Sequence, residues 1–145
     1  MSRTTWQIDS IQRTVQKTEE WLDDLAGELG TDDGRYAWRV LRAYLRVLRE
    51  RLTPDESAQL AAQLTHLLRG VFYEGFDPGR EPHRLRTRDE FLQRLAERAQ
   101  LPEGVDPAVV AALATRVLRR RLTAGEVDDI LSQLPTEIRD VLVHG

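Results

Sequence analysis

Hydrophobic residues recur every three or four positions along most of this chain, which is the spacing of one face of an α-helix. Ile8, Ile11, Val15 and Leu25 belong to a first stripe that predicts a long helix ending near Gly30. A second apolar face predicts a helix from about residue 35 to 51. No segment shows the alternation of a half-buried strand between turn residues. The pattern therefore predicts an all-α protein.

The same pattern occurs twice, at an offset of seventy residues. Leu48-Arg49-Glu50-Arg51-Leu52-Thr53 aligns without a gap on Leu118-Arg119-Arg120-Arg121-Leu122-Thr123, and Trp21-Leu22 aligns on Phe91-Leu92. A fixed-period self-match is typical of repeated structural units. We therefore expect two tandem, pseudo-symmetric helical repeats packed as one compact bundle of seven or eight helices, because a lobe of about 55 residues has a marginal core alone.

The repeat suggests four parts. They are an N-terminal helical extension (1–17), repeat 1 (18–72), an aromatic linker rich in Gly and Pro (73–86) and repeat 2 (87–142). In each repeat we expect the first two helices to form an antiparallel pair, with the third packing across it. The expected core consists of six equivalent pairs. They are Trp21, Leu25, Val40, Leu48, Leu52 and Leu64, with Phe91, Leu95, Val110, Leu118, Leu122 and Leu134.

Several residues mark where helices begin. Thr53 with Glu56 forms a capping-box sequence, and Thr87 with Glu90 and Thr123 with Glu126 repeat it. Asp33 is suited to cap the second helix. Pro135 predicts a break before the last helix, whereas its counterpart Thr65 predicts that the first repeat continues there as one helix.

Composition narrows the classes of function. The chain has no cysteine, so thiolate metal sites and cysteine nucleophiles are excluded. Its net charge is −3, so the molecule as a whole does not attract nucleic acid. We see neither a signal peptide nor an apolar run long enough to span a membrane. We expect a cytoplasmic protein without membrane contacts.

The linker carries a more specific signal. Together with Thr14-Val15-Gln16-Lys17-Thr18 and Leu67-Leu68-Arg69-Gly70, the run Phe72-Tyr73-Glu74-Gly75-Phe76-Asp77-Pro78 resembles the bacterial domain-of-unknown-function family 2267. The chain departs from the usual family pattern at Phe76, where tryptophan is common, and at Thr65, where proline is common. The resemblance implies a helical, cytoplasmic bacterial protein and supplies no activity or catalytic residue.

Two surfaces are candidates for binding. One is the linker with the N-terminal extension, because aromatic residues on loops commonly form binding patches. Its candidate residues are Trp6, Tyr73, Glu74, Phe76, Asp77 and His83. The other is a pair of arginine strips on the second helix of each repeat, which could contact nucleic-acid phosphates or simply pair with nearby carboxylates. These strips comprise Arg39, Arg42, Arg46 and Arg49, with Arg116, Arg119 and Arg120.

Nothing in the sequence favours catalysis. The three histidines, His66, His83 and His144, lack metal-ligand spacing. Adjacent carboxylates such as Asp23-Asp24 point apart on a helix. We expect no cofactor or metal. The favoured hypothesis is a non-catalytic interaction module that binds a protein partner or itself, through an exposed apolar patch at the linker or the N-terminal extension. The alternatives are a nucleic-acid-binding protein and a ligand or enzymatic site at the linker.

Overall fold

The computed structural model describes residues 6–77, 79 and 87–144, and within them the chain forms eight helices and no strand. This confirms the all-α prediction. The helices are α1 (Asp9–Leu29), α2 (Gly34–Arg51), α3 (Pro54–Ala61), α4 (His66–Phe72), α5 (Arg88–Ala99), α6 (Pro107–Arg121), α7 (Ala124–Ser132) and α8 (Thr136–His144).

Most helix boundaries follow from local chemistry. Gly30 ends α1 in the left-handed conformation at φ 68°, where a glycine avoids the steric cost of a side chain. The Asp33 side chain accepts hydrogen bonds from the first backbone amides of α2, and Thr53 with Glu56 forms a complete capping box at α3. Thr123 differs, because α7 begins after it without a side-chain cap. The prediction of a capping box at Thr123 and Glu126 is therefore wrong.

The expected continuous helix through Thr65 is also wrong. The α3 helix ends at Ala61 and α4 begins at His66, because the Thr65 hydroxyl accepts a hydrogen bond from the Leu68 amide at 3.1 Å. The same hydroxyl lies 2.9 Å from that of Thr18 on α1. Thr65 thus precedes the first residue of α4, just as Pro135 precedes the first residue of α8 in the second half of the chain.

The first two helices of each half end at an offset of seventy. The α1 helix ends at Leu29 and α5 at Ala99, whereas α2 ends at Arg51 and α6 at Arg121. Only the start of the first helix differs strongly. The α1 helix has 21 residues and α5 has 12, so α1 carries nine extra residues at its N-terminus.

The core lies where helices of the two halves cross. The α2 helix makes its largest contact with α5, and α1 makes slightly more contact with α6 than with α2. Contact between α5 and α6 is less extensive, and α3 packs on α7 rather than across its own pair as expected. Of the twelve expected core residues, eleven are buried and Leu122 is half-buried. The halves therefore share one core.

The C-terminal end of α5 offers a test of local strain. Gln100 stands in the register position of Gly30 and also adopts the left-handed conformation, at φ 52°. A side chain there costs about 1 kcal/mol. We expect Gln100→Gly to raise the free energy of unfolding by about 0.5–1 kcal/mol. Urea unfolding measures this, and Gln100→Ala should give no gain. A glycine variant no more stable than the alanine variant would contradict the assignment.

Candidate functional site

The arginines of α2 hold the segment that follows α4. Arg42 donates a hydrogen bond from Nη2 to Glu74 Oε2 at 3.0 Å, and Arg46 Nη1 lies 4.0 Å from the same oxygen. Arg49 donates from Nη1 to the carbonyl oxygens of Phe72 at 2.8 Å and of Glu74 at 2.6 Å. Burial lowers the pKa of the Arg49 guanidinium, and the neighbouring charge of Arg46 lowers it further. This strip therefore has a structural use inside the protein.

The aromatic residues of the linker pack on one another and on this strip. The Tyr73 ring centroid lies 5.3 Å from that of Phe72 and 5.2 Å from that of Phe76. The Arg49 guanidinium lies 5.9 Å from the centroid of the Phe76 ring. Tyr73, Glu74 and Phe76 are half-buried, and Asp77 is exposed. His83 lies outside the described residues, so its place in the candidate binding surface stays a prediction.

The N-terminal part of α1 and the residues just before it carry exposed apolar side chains, which we call the N-terminal stripe and define as Trp6, Ile8, Ile11 and Val15. Trp6 is 76% exposed and Ile11 is 56% exposed. Leu67 on α4 adds a fifth exposed apolar side chain nearby, because its amide donates to Thr14 Oγ1 at 3.0 Å. An exposed apolar patch was expected around Trp6 and Ile8, whereas helical periodicity alone placed Ile11 and Val15 on a packed face.

The arginines of α6 mostly face acidic residues. Arg120 donates to Glu28 Oε1 at 2.8 Å, and Arg116 Nη1 lies 3.8 Å from Glu28 Oε2. Arg119 pairs with Asp128 at 2.9 Å. The hydrogen bond from Arg121 lowers the pKa of the Asp24 carboxyl. These arginines thus pair with nearby carboxylates, which is one of the two interpretations that the sequence allowed. Nucleic-acid binding stays a prediction.

Two helix interfaces, that of α1 with α6 and that of α2 with α5, carry charges of opposite sign at equivalent positions. On α1, Asp24 and Glu28 face Arg120 of α6, at 3.7 and 2.8 Å. On α5, seventy residues later in each case, Arg94 and Arg98 face Glu50 of α2, with Arg94 Nε 3.9 Å from Glu50 Oε2 and Arg98 hydrogen-bonded to Glu50 Oε1. The acidic residues therefore lie on the first helix of the first half, whereas the basic residues lie on the first helix of the second half.

A pocket of about 280 Å³, which we call the arginine pocket, lies between α2 and the C-terminal end of α5. Its lining residues are Arg39, Arg42, Ala43, Arg46, Arg98 and Gln100. The spacing of arginines along the sequence indicated the three arginines of α2 but not Arg98, because no local pattern shows that α5 crosses α2 at this point.

A protein-family comparison now complements the geometry. Residues 18–143 match the model of the family described as "Uncharacterized conserved protein (DUF2267)". The chain belongs to the DUF2267 family. The match confirms the resemblance of the linker and neighbouring helices to domain-of-unknown-function family 2267. It begins at Thr18, so the DUF2267 match leaves out the whole N-terminal stripe.

The DUF2267 match assigns no activity, and no curated protein matches the chain. Among the helices that the structure describes, none is both long and apolar enough to cross a lipid bilayer. In the same part of the chain, histidine and carboxylate side chains form no group of three suited to a metal ion.

Proposed function

We propose that this protein is a non-catalytic helical interaction module that associates with a second copy of itself through the N-terminal stripe. The observation that carries the proposal is the exposure of Trp6, Ile8, Ile11 and Val15 at the start of α1. The spacing of four residues places Ile11 and Val15 on the same side of the helix. Contiguous exposed apolar patches on soluble proteins commonly mark interaction sites. The bacterial, cytoplasmic setting comes from the family resemblance.

The spacing of the stripe favours a second copy as the occupant. In an antiparallel pair of α1 helices centred beside Ile11, Ile8 of one copy lies opposite Val15 of the other, and the two Ile11 side chains meet. Gln12 and Gln16, which flank the stripe, are uncharged and so do not repel each other. Antiparallel helices also oppose their macrodipoles favourably.

The proposal also treats α1–α4 and α5–α8 as two copies of one unit related by pseudo-symmetry. The ends of the first two helices of each half, at an offset of seventy, support it. So do the reciprocal contacts: α1 packs on α6 as α5 packs on α2, and α4 packs on α2 as α8 packs on α6. The exchanged charges at Glu50 and Arg120 fit this relation. In this account the N-terminal stripe belongs to an extension that α1–α4 have and α5–α8 lack.

Sedimentation equilibrium with an Ile11→Glu variant tests the self-association. We expect the unchanged protein to form a dimer whose affinity varies little with salt, because apolar contacts dominate it. Ile11→Glu should weaken dimerisation at least tenfold while leaving the helical circular-dichroism signal and the Tm of the monomer unchanged, since Ile11 is exposed.

Ser10→Glu is the matched control. It adds the same charge one position earlier, on a different side of the exposed helix. This variant should dimerise like the unchanged protein. A protein that stays monomeric at all accessible concentrations, or a dimer that Ile11→Glu leaves intact, would contradict the proposal.

A further inference from the structure

We propose that the arginine pocket binds the phosphate group of a small molecule. This site lies on α2 and α5, away from the N-terminal stripe on α1, and does not depend on self-association. Its lining brings together side chains from two helices that are far apart in sequence, such as Arg42 and Arg98.

An excess of positive charge is the first support. Arg39, Arg42, Arg46 and Arg98 line the pocket, and Arg49 lies behind it on the same strip of α2. Within the described residues, the carboxylates that contact these five arginines are Glu50 and Glu74. Glu74 is shared by Arg42 and Arg46. The guanidinium groups therefore repel one another, and a bound dianion would relieve that repulsion.

Unused hydrogen-bond donors are the second support. The Nε atoms of Arg42, Arg46 and Arg98 are removed from water and have no acceptor among the described residues. A buried donor without an acceptor costs free energy. The Nε–H and Nη–H groups of arginine form a planar fork that matches two oxygens of a phosphate. A phosphate in the pocket would supply the missing negative charge, and rotation of these arginine side chains toward it would give their Nε–H groups an acceptor.

Aromatic neighbours and a backbone contact hold the arginines of α2 in place. The Arg39 guanidinium lies 5.4 Å from the centroid of the Tyr36 ring, and that of Arg42 lies 5.9 Å from the centroid of the Trp38 ring. Arg39 also donates from Nε to the Ala99 carbonyl oxygen at 2.6 Å, which ties it to the end of α5. Side chains already fixed before binding lose less entropy when a ligand arrives.

The size of the pocket indicates a small ligand. Its volume of about 280 Å³ is just below the usual range of pockets for drug-sized molecules. A phosphate with a small organic group fits this space, whereas extended nucleic acid would require a groove that follows several phosphates. The arginines of α6, which could extend such a path, mostly pair with acidic residues such as Glu28 and Asp128.

Calorimetric titration and thermal unfolding of the full chain test the site. The probes are inorganic phosphate, pyrophosphate and a sugar monophosphate, against sodium chloride at equal ionic strength. We expect saturable binding, and a rise in Tm of roughly 5–10 °C when the ligand exceeds its Kd a hundredfold. If the sugar monophosphate binds more tightly than inorganic phosphate, the preferred ligand is an organic phosphate. If inorganic phosphate binds more tightly, the preferred ligand is the free ion. Both outcomes support the site.

Arg46→Gln should weaken phosphate binding at least tenfold. Arg42→Lys, which keeps the charge but removes the planar fork, should weaken it severalfold without loss of the fold. Arg119→Gln is the matched control, because Arg119 is an exposed arginine of α6 paired with Asp128 outside the pocket. It should leave binding unchanged.

Three results would overturn the proposal. One is phosphate acting no differently from chloride at equal ionic strength. Another is equal weakening by Arg46→Gln and Arg119→Gln, which would indicate a general charge effect. The third is a single-stranded oligonucleotide that binds more tightly than every small phosphate and depends equally on Arg119. Loss of phosphate binding in a protein that still dimerises would leave the self-association proposal intact, so the two fail separately.

Discussion

Replacing Tyr44 with alanine is expected to lower the free energy of unfolding by about 4 kcal/mol, because it removes a large aromatic side chain from the shared core. Tyr44 is 1% exposed and lies on α2, where this helix contacts α6. The equivalent position in the second half, seventy residues later, is Ala114. A large side chain in one half thus corresponds to a small one in the other. Neighbouring side chains cannot collapse into the space left by a ring in the middle of the molecule.

Tyr44→Phe separates the hydroxyl from the ring. The Tyr44 hydroxyl lies 2.8 Å from Thr115 Oγ1, and Thr115 itself donates to the Ala111 carbonyl oxygen at 2.9 Å. Tyr44 is therefore the donor of the first bond. Losing it should cost about 1 kcal/mol. Urea unfolding of both variants measures the difference, and equal losses for Tyr44→Ala and Tyr44→Phe would contradict the packing argument.

The hydroxyl also predicts a pH dependence. Burial raises the pKa of Tyr44 above its ordinary value of 10.0, so the folded protein keeps the phenol proton where the unfolded chain loses it. The stabilising contribution is complete below pH 10 and declines as pH rises above that value, because the unfolded state then binds fewer protons. The decline should be shallower in Tyr44→Phe, which has no phenol at this position.

Reversing the charge of Glu50 should have the second-largest effect. Its side chain is 11% exposed and faces Arg94 and Arg98 on α5. Glu50→Arg places a third positive charge against these two, and we expect a loss of about 2–3 kcal/mol, moderated by the partial exposure of the arginines. Urea unfolding at low and moderate salt measures the loss, and salt should reduce it.

A triple variant tests whether the two crossing interfaces are equivalent. Glu50→Arg combined with Arg94→Asp and Arg98→Glu gives this interface the charge order of Asp24, Glu28 and Arg120 in the other one. If the interfaces are copies of each other, the triple variant should recover at least half of the loss caused by Glu50→Arg alone. A triple variant less stable than the single one would contradict the two-copy account.

The sequence predicted the helices well because their signals are local. Apolar periodicity, Gly30 and the cap residues Asp33 and Thr53 all act within one or two turns. The failures occurred where tertiary contacts decide. Thr65 begins a helix while its hydroxyl contacts Thr18, which is distant in sequence. Thr123 has the sequence of a cap without the hydrogen bond of one.

The candidate sites were less predictable for the same reason. Arg120 and its partner Glu28 are 92 residues apart, so no local pattern shows that they pair. Arg98 joins the arginine pocket only because α5 crosses α2. The exposure of Ile11 and Val15 was equally hidden, since a stripe on a helix looks the same whether a core covers it or not. The family match begins at Thr18 and leaves the N-terminal stripe outside it.

Disulfide trapping of an Ile11→Cys variant tests self-association most directly. The chain contains no cysteine, so the introduced thiol can pair only with its copy. In an antiparallel pair centred beside Ile11, mild oxidation of this variant should give a covalent dimer in high yield, whereas Arg13→Cys, on the opposite side of the helix, should stay monomeric. Equal and slow cross-linking of both variants would indicate random collisions and contradict pairing through the N-terminal stripe.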